Sequence, residues 1–114
     1  MGNKEVLQAA NAAVMAGDNE GFLVYCTDNV VWHFVGEQTL AGKEAVRQYM
    51  VETYLEPPRF QVDTLVAEGD YVTAIGTIDL KDQDGMLAHY AYCDVWRFED
   101  GRMAELTAFV IKVA

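Results

Sequence analysis

Asp94 is the residue of this chain whose surroundings most need a chemical explanation. The segment from His89 to Ile111 reads as two strands joined by a tight turn at Glu99-Asp100-Gly101-Arg102, with Asp-Gly supplying the positive-φ position. Alternation along the first strand puts Tyr92, Asp94, Trp96 and Phe98 on one face. Three of these are large aromatics that favour burial, and the fourth is an acid. A carboxylate on such a face must be hydrogen-bonded, neutralised or aimed into a cavity, because burying it charged and unpaired is prohibitive. In an aromatic-lined cavity its pKa rises above the ordinary value of about 3.9. A neutral carboxyl then acts as a general acid or donates a hydrogen bond to a ligand oxygen. Arg97, the nearest cation in sequence, projects from the opposite face and does not hold Asp94 ionised. Tyr92 adds a hydroxyl that needs a partner when buried, and so is the second candidate for chemistry. The competing reading is a structural acid satisfied by Tyr92 or by a helix terminus.

Other chemistry is poorly provided for. His33 and His89 lie on the face opposite the aromatic one and pair with no acid at metal-ligand spacing, so neither metal nor cofactor is expected. There is no Ser-His-Asp arrangement, phosphate loop or dinucleotide fingerprint. Cys26, assigned to a helix, and Cys93, assigned to a strand, read as small buried reduced hydrophobes. A formal charge of -10, with only 8 basic residues and no basic cluster, argues against nucleic acid and anionic membrane surfaces. No apolar run is long enough to span a membrane and the first segment is periodic rather than leader-like, which predicts a cytoplasmic protein.

The 114 residues suit one domain, 1–114, with its own core and no linker. Asn3 to Ala16 has helical periodicity, with Asn3 as N-cap and Gly17 as the C′ residue. Asp18 caps a short second helix, Glu20 to Cys26, ended by Thr27-Asp28-Asn29. Val30 to Val35 is a strand with apolar residues on both faces. Gly42-Lys43-Glu44 opens a third helix, in which Val46, Tyr49, Met50 and Tyr54 recur, and Pro57-Pro58 stops it. Arg59 to Ala67 alternates Phe60, Val62, Thr64 and Val66 on one face. A turn at Glu68-Gly69-Asp70 leads to a strand from Tyr71 to Lys81, and a turn at residues 81–85 leads to the strand carrying Asp94. Three helices followed by a strand meander predict an α+β protein in which one curved sheet wraps over helices.

The motifs Ala16-Gly17-Asp18, Thr27-Asp28-Asn29-Val30-Val31-Trp32, Gly42-Lys43-Glu44-Ala45-Val46 and Trp96-Arg97-Phe98-Glu99-Asp100-Gly101-Arg102, in this order, resemble the ketosteroid-isomerase-like cone. SnoaL-like polyketide cyclases, limonene epoxide hydrolase and nuclear transport factor 2 share that fold. The resemblance spans essentially the whole chain and implies a cone-shaped, strongly curved antiparallel sheet over three N-terminal helices. It places Asp94 where ketosteroid isomerases keep a protonated aspartic acid that bonds the substrate oxyanion. It places Phe34 at their catalytic base and Ala10 at their oxyanion-hole tyrosine, so this is not a standard ketosteroid isomerase. Ala108 stands where limonene epoxide hydrolases have a catalytic aspartate.

The same resemblance implies a pocket lined by Trp32 and Phe34, by Ile75, Thr77 and Asp79, by Tyr92, Asp94 and Trp96, and by Leu106 and Ala108, with Met50 and Tyr54 closing one side. Three functions follow as expectations, because this fold hosts several. One is an isomerase-, cyclase- or hydrolase-type enzyme on a small, largely apolar molecule, with Asp94 as acid or oxyanion donor. Another is a ligand-binding module without chemistry, and the third a dimeric interaction module. The outward residues His33, Val35, His89, Ala91, Cys93, Val95, Glu105, Thr107 and Phe109 are too apolar a set for a solvent-facing sheet, which predicts a homodimer through the convex face.

Overall fold

The computed structural model describes residues 1–82 and 84–113. The elements follow in the order α1 (Asn3–Met15), α2 (Asn19–Leu23), β1 (Cys26–Phe34), β2 (Gln38–Ala41), α3 (Lys43–Thr53), β3 (Arg59–Glu68), β4 (Tyr71–Lys81), β5 (Leu87–Glu99) and β6 (Arg102–Lys112). The six strands make one curled, unclosed sheet in the order β2-β1-β6-β5-β4-β3. Strands β3 to β6 run as the antiparallel meander that the sequence predicts. Strand β1 then joins parallel to β6 and antiparallel to β2. The three helices pack against this sheet, and the architecture is the α+β cone expected from the sequence.

Local signals explain most of the joints. Gly17 takes φ +85° after α1, as a C′ glycine does. The Asp18 side chain accepts a 2.8 Å hydrogen bond from the Gly21 amide and caps α2. Between β5 and β6, Asp100 and Gly101 both have positive φ, 49° and 80°, as a two-residue hairpin with paired Glu99 and Arg102 requires. The core fills the sheet's concave side, with Leu7, Leu23, Val30, Val46, Phe98 and Met103 fully buried.

Three local expectations are corrected, and one strand comes without any signal in the sequence. The N-cap of α1 is Gly2, and Asn3 is already helical. Helix α2 ends at Leu23, and Cys26 opens β1 opposite Met103 of β6 instead of closing a helix, so tertiary pairing overrides the turn-like Thr27-Asp28-Asn29. Strand β2 has no alternation to announce it; it is a short, mostly exposed edge strand held by pairing to β1. In β3 a register shift between Val62 and Thr64 places one extra residue in the strand. Thr64 and Val66 are thereby turned outward, opposite Ile75 and Thr73, and Leu65 takes the inward position opposite Ala74. Gln83, within the turn expected at residues 81–85, lies outside the described residues.

Candidate functional site

Residues directly opposite one another on paired strands share a face, so the register determines the inner surface of the cone row by row. One row runs Trp32, Leu106, Trp96, Val72, and the next runs Phe34, Ala108, Asp94, Ala74. Asp94 therefore has an alanine on either side. These two small residues leave a hollow around the carboxyl where larger neighbours would have filled the space. The third row sets Tyr92 between Val110 and Gly76. A Cβ on Gly76 would stand 1.9 Å from the Gln61 carbonyl oxygen and 3.1 Å from the Tyr92 hydroxyl. Glycine here lets β3 fold closely over β4 and curl the sheet around the hollow.

The result is a cavity of about 220 Å³. Its closed end is formed by Phe22, Trp32, Trp96 and Leu106, each no more than 4% exposed. Its open end lies by Leu80, Tyr90, Val110 and Glu37. Helix α3 covers one side with Tyr49, Met50 and Thr53 and its C-cap residue Tyr54, and α1 contributes Asn11 and Val14. Trp32 is the hub of the wall. Its ring meets Phe22, Phe34, Tyr49 and Trp96 edge to face, with centroids 5.8 to 6.1 Å apart. Such packing fixes the shape of the wall.

Asp94 meets the conditions that the sequence sets for it. Its Oδ1 is buried with no hydrogen-bond partner among the described residues, and so is the Trp32 indole nitrogen. Burial away from water pushes the Asp94 carboxyl up to about 7. Burial first, and then the Asp94 and Asp63 charges, push the Tyr92 phenol up to about 12. Tyr54 is likewise raised, by burial and then by Tyr49 and Asp94. Both phenols thus remain hydrogen-bond donors near neutral pH, whereas Asp94 exchanges its proton there.

Trp32, Phe34, Met50, Tyr54, Tyr92, Asp94, Trp96, Leu106 and Ala108 all line this cavity. Ile75, Thr77 and Asp79 do not, which corrects the expected lining. Opposite Asp94 on β4 stands Ala74, so the even-numbered residues Ala74, Ile78 and Leu80 face inward and the odd-numbered ones outward. Ile75 is 46% exposed on the convex face. Asp79 accepts or shares a 2.6 Å hydrogen bond with His89 Nδ1 on that outer side. The alternation Tyr-Val-Thr-Ala-Ile-Gly-Thr-Ile-Asp-Leu-Lys carried the information: the inward set has no polar residue and is small at its centre. Ala10, though buried, is not in the wall, and its neighbour Asn11 is. The sequence reading also missed Tyr49, Phe60, Tyr90 and Glu37. Glu37 sits in the turn between β1 and β2, and nothing in its local sequence marks it. No group of three His, Cys, Asp or Glu side chains among the described residues converges in a metal-binding arrangement. No helix among them is long and apolar enough to cross a membrane.

Comparison with known families matches residues 7–106 to the SnoaL-like domain. No curated protein matches the sequence. Among solved structures, a nuclear transport factor 2-like protein of unknown function from Burkholderia pseudomallei is similar at 21% identity and TM-score 0.84, over 97% of this chain and 92% of that one. Δ5-3-ketosteroid isomerase from Mycobacterium sp. is similar at 17% identity and TM-score 0.83, over 96% of each chain. SalBIII, an epoxide hydrolase/cyclase-like enzyme with a role in pyran ring formation in the polyether salinomycin, is similar at 19% identity and TM-score 0.87, over 96% of this chain and 90% of that one. At these identities the likeness shows the fold alone.

Proposed function

This chain belongs to the SnoaL-like domain family, and from that premise we propose that its cavity binds a small, largely apolar, oxygen-bearing molecule and promotes an isomerase- or cyclase-type reaction with Asp94 as general acid. The observation that carries this reading is the Asp94 carboxyl itself, set between Ala108 and Ala74 in an aromatic cavity with Oδ1 lacking any protein partner. A buried polar group left without a partner is costly, and one that persists in a folded protein calls for a reason such as a catalytic role. Neutral Asp94 would donate to a ligand oxygen on which charge develops, and Tyr54 and Tyr92 would add hydroxyl donors nearby. An apolar cavity of about 150 Å³ holds benzene, so about 220 Å³ suits a molecule of one or two rings. The isomerase and the cyclase-like enzyme among the similar structures are in keeping with this class of chemistry.

A second reading is a binding module without chemistry. Phe34 and Ala108 favour it, because each puts an apolar side chain in the cavity wall where the resemblance places a catalytic aspartate, the isomerases' base in one case and the epoxide hydrolases' aspartate in the other. The two readings separate in one experiment. The purified protein is incubated with a panel of cyclic ketones and epoxides, beside the Asp94→Asn variant, and products are followed by mass spectrometry and NMR. Asp94→Asn keeps the shape and one donor, so it should retain part of the binding and lose about 10²- to 10⁴-fold in turnover. Saturable binding without conversion in the unaltered protein would leave the binding module as the function.

A further inference from the structure

We infer that the cavity selects its ligand by charge, admitting uncharged molecules with a hydrogen-bond-accepting oxygen and rejecting carboxylate or phosphate analogues of the same shape, with Glu37 as the selecting residue. The inference rests on the ligand-binding reading of the cavity. Its basis is the inventory of polar groups in the wall. Besides four tyrosine hydroxyls, the Trp32 and Trp96 indoles, Asn11 and Thr53, the described lining holds two carboxyls, Asp94 and Glu37, and no lysine, arginine or histidine. An anion entering this space would leave water without meeting a counter-charge, and its burial unpaired is strongly unfavourable.

Glu37 makes the rejection active. It is exposed in the turn after β1 at the open end of the cavity, and it is absent from the ion pairs among the described residues. Its charge acts inside the cone: after burial, it is one of the influences that raise the Tyr49 phenol, whose ring lines the wall. Lys81 is engaged 3.2 Å from Glu56, and Lys112, opposite Tyr90 and so on the cavity-facing side, lies one row beyond Val110 at the exposed end of β6 and outside the lining. A ligand anion passing Glu37 is thus opposed by a like charge at the opening and received by a second acid below it. Specificity of this kind comes from a repulsive element in addition to the attractive fit.

The test uses two-ring isosteres that differ in charge. Binding of 2-naphthamide, 2-acetonaphthone and 2-naphthoate is measured by tryptophan fluorescence and calorimetry at low salt and about pH 6, where an ordinary carboxylate is ionised and Asp94 still holds its proton. The unaltered protein should bind the two neutral compounds and bind 2-naphthoate at least about tenfold more weakly. Glu37→Gln should narrow that gap several-fold, whereas Glu68→Gln, the same charge change at the far β3–β4 turn, should leave it unchanged. Equal or tighter binding of 2-naphthoate overturns the inference while sparing the ligand-binding reading, and so does an unchanged gap in Glu37→Gln. Failure of all three compounds to bind overturns both.

Discussion

A proton on Asp94 links the site to the stability of the whole chain. The native state holds that proton up to a pH of about 7, whereas the unfolded chain releases it near the ordinary value of 3.8. Between those values the native state binds more protons than the unfolded one, so stability falls as the pH rises through this window and levels off above it. The largest contribution this shift allows is on the order of 4 kcal/mol. Asp94→Asn removes the titrating group while keeping its volume. Urea unfolding of both proteins at acidic and alkaline pH should show the variant gaining on the unaltered chain as pH rises, with the difference arising between about pH 4 and pH 7. A difference that stays constant with pH would mean a solvated carboxyl and would remove the basis for Asp94 as an acid. Asp94 could be singled out from sequence because one acid among Tyr92, Trp96 and Phe98 conflicts with its own strand. Glu37 could not, since an acid in a polar turn conflicts with nothing nearby; only the closure of β1 toward the cone opening brings it to the cavity.

At the scale of elements, the curvature of the sheet depends on Gly76. An added methyl would meet the Gln61 carbonyl at 1.9 Å, a backbone atom that cannot rotate away, and the Tyr92 hydroxyl at 3.1 Å. Gly76→Ala should cost at least about 2 kcal/mol in urea unfolding, since the strand itself must shift. The same displacement should weaken ligand binding, because Tyr92 stands between Gly76 and Val110 in the wall. A variant within about 0.5 kcal/mol of the unaltered protein would show that β3 can retreat without opening the cone. The helices, the β5–β6 turn and the inward face of β5 were legible in the sequence because each has a strong local cause: helical periodicity, Asp-Gly, and alternating aromatics. The bulge in β3 and the existence of β2 were not, because they are settled by neighbours; the faces of β4 were written in its alternation, but its inward set is too small to stand out. One extra residue at Asp63 reverses which side chains of β3 face inward, and no local pattern announces it. The inward β4 residues Ala74 and Gly76 attract no notice as core-forming residues, yet they are what keeps the cavity open.

For the whole molecule, the convex face of the sheet is the feature that solvent alone explains least. Ile75, Cys93 and Phe109 lie side by side on β4, β5 and β6, with Ile75 and Phe109 each 46% exposed and Ile111 66% exposed. We propose that two copies pair through this face about a two-fold axis, an arrangement that lets one patch complement itself. Sedimentation equilibrium at micromolar protein should give a dimer, and Phe109→Glu should give a monomer. The variant's near-ultraviolet circular dichroism should be kept, because the flanking Ala108 and Val110, not Phe109, face the cavity. A monomeric mass for the unaltered chain would refute this pairing. The parallel pairing of β1 with β6 bears on something else, the order in which the chain becomes able to fold. During synthesis α1, α2, β1 and β2 leave the ribosome well before the strand that β1 needs as its neighbour. The β1–β2 hairpin is only marginally stable alone. Until β6 emerges, Val30, Trp32 and Phe34 therefore have no sheet to join, and the docking of β1 onto the meander is a late step that rests on contacts distant in sequence. Nascent chains halted before Met103 should consequently remain protease-sensitive through β1 and β2, with the unpartnered β1 residues Val30, Trp32 and Phe34 as their most aggregation-prone stretch.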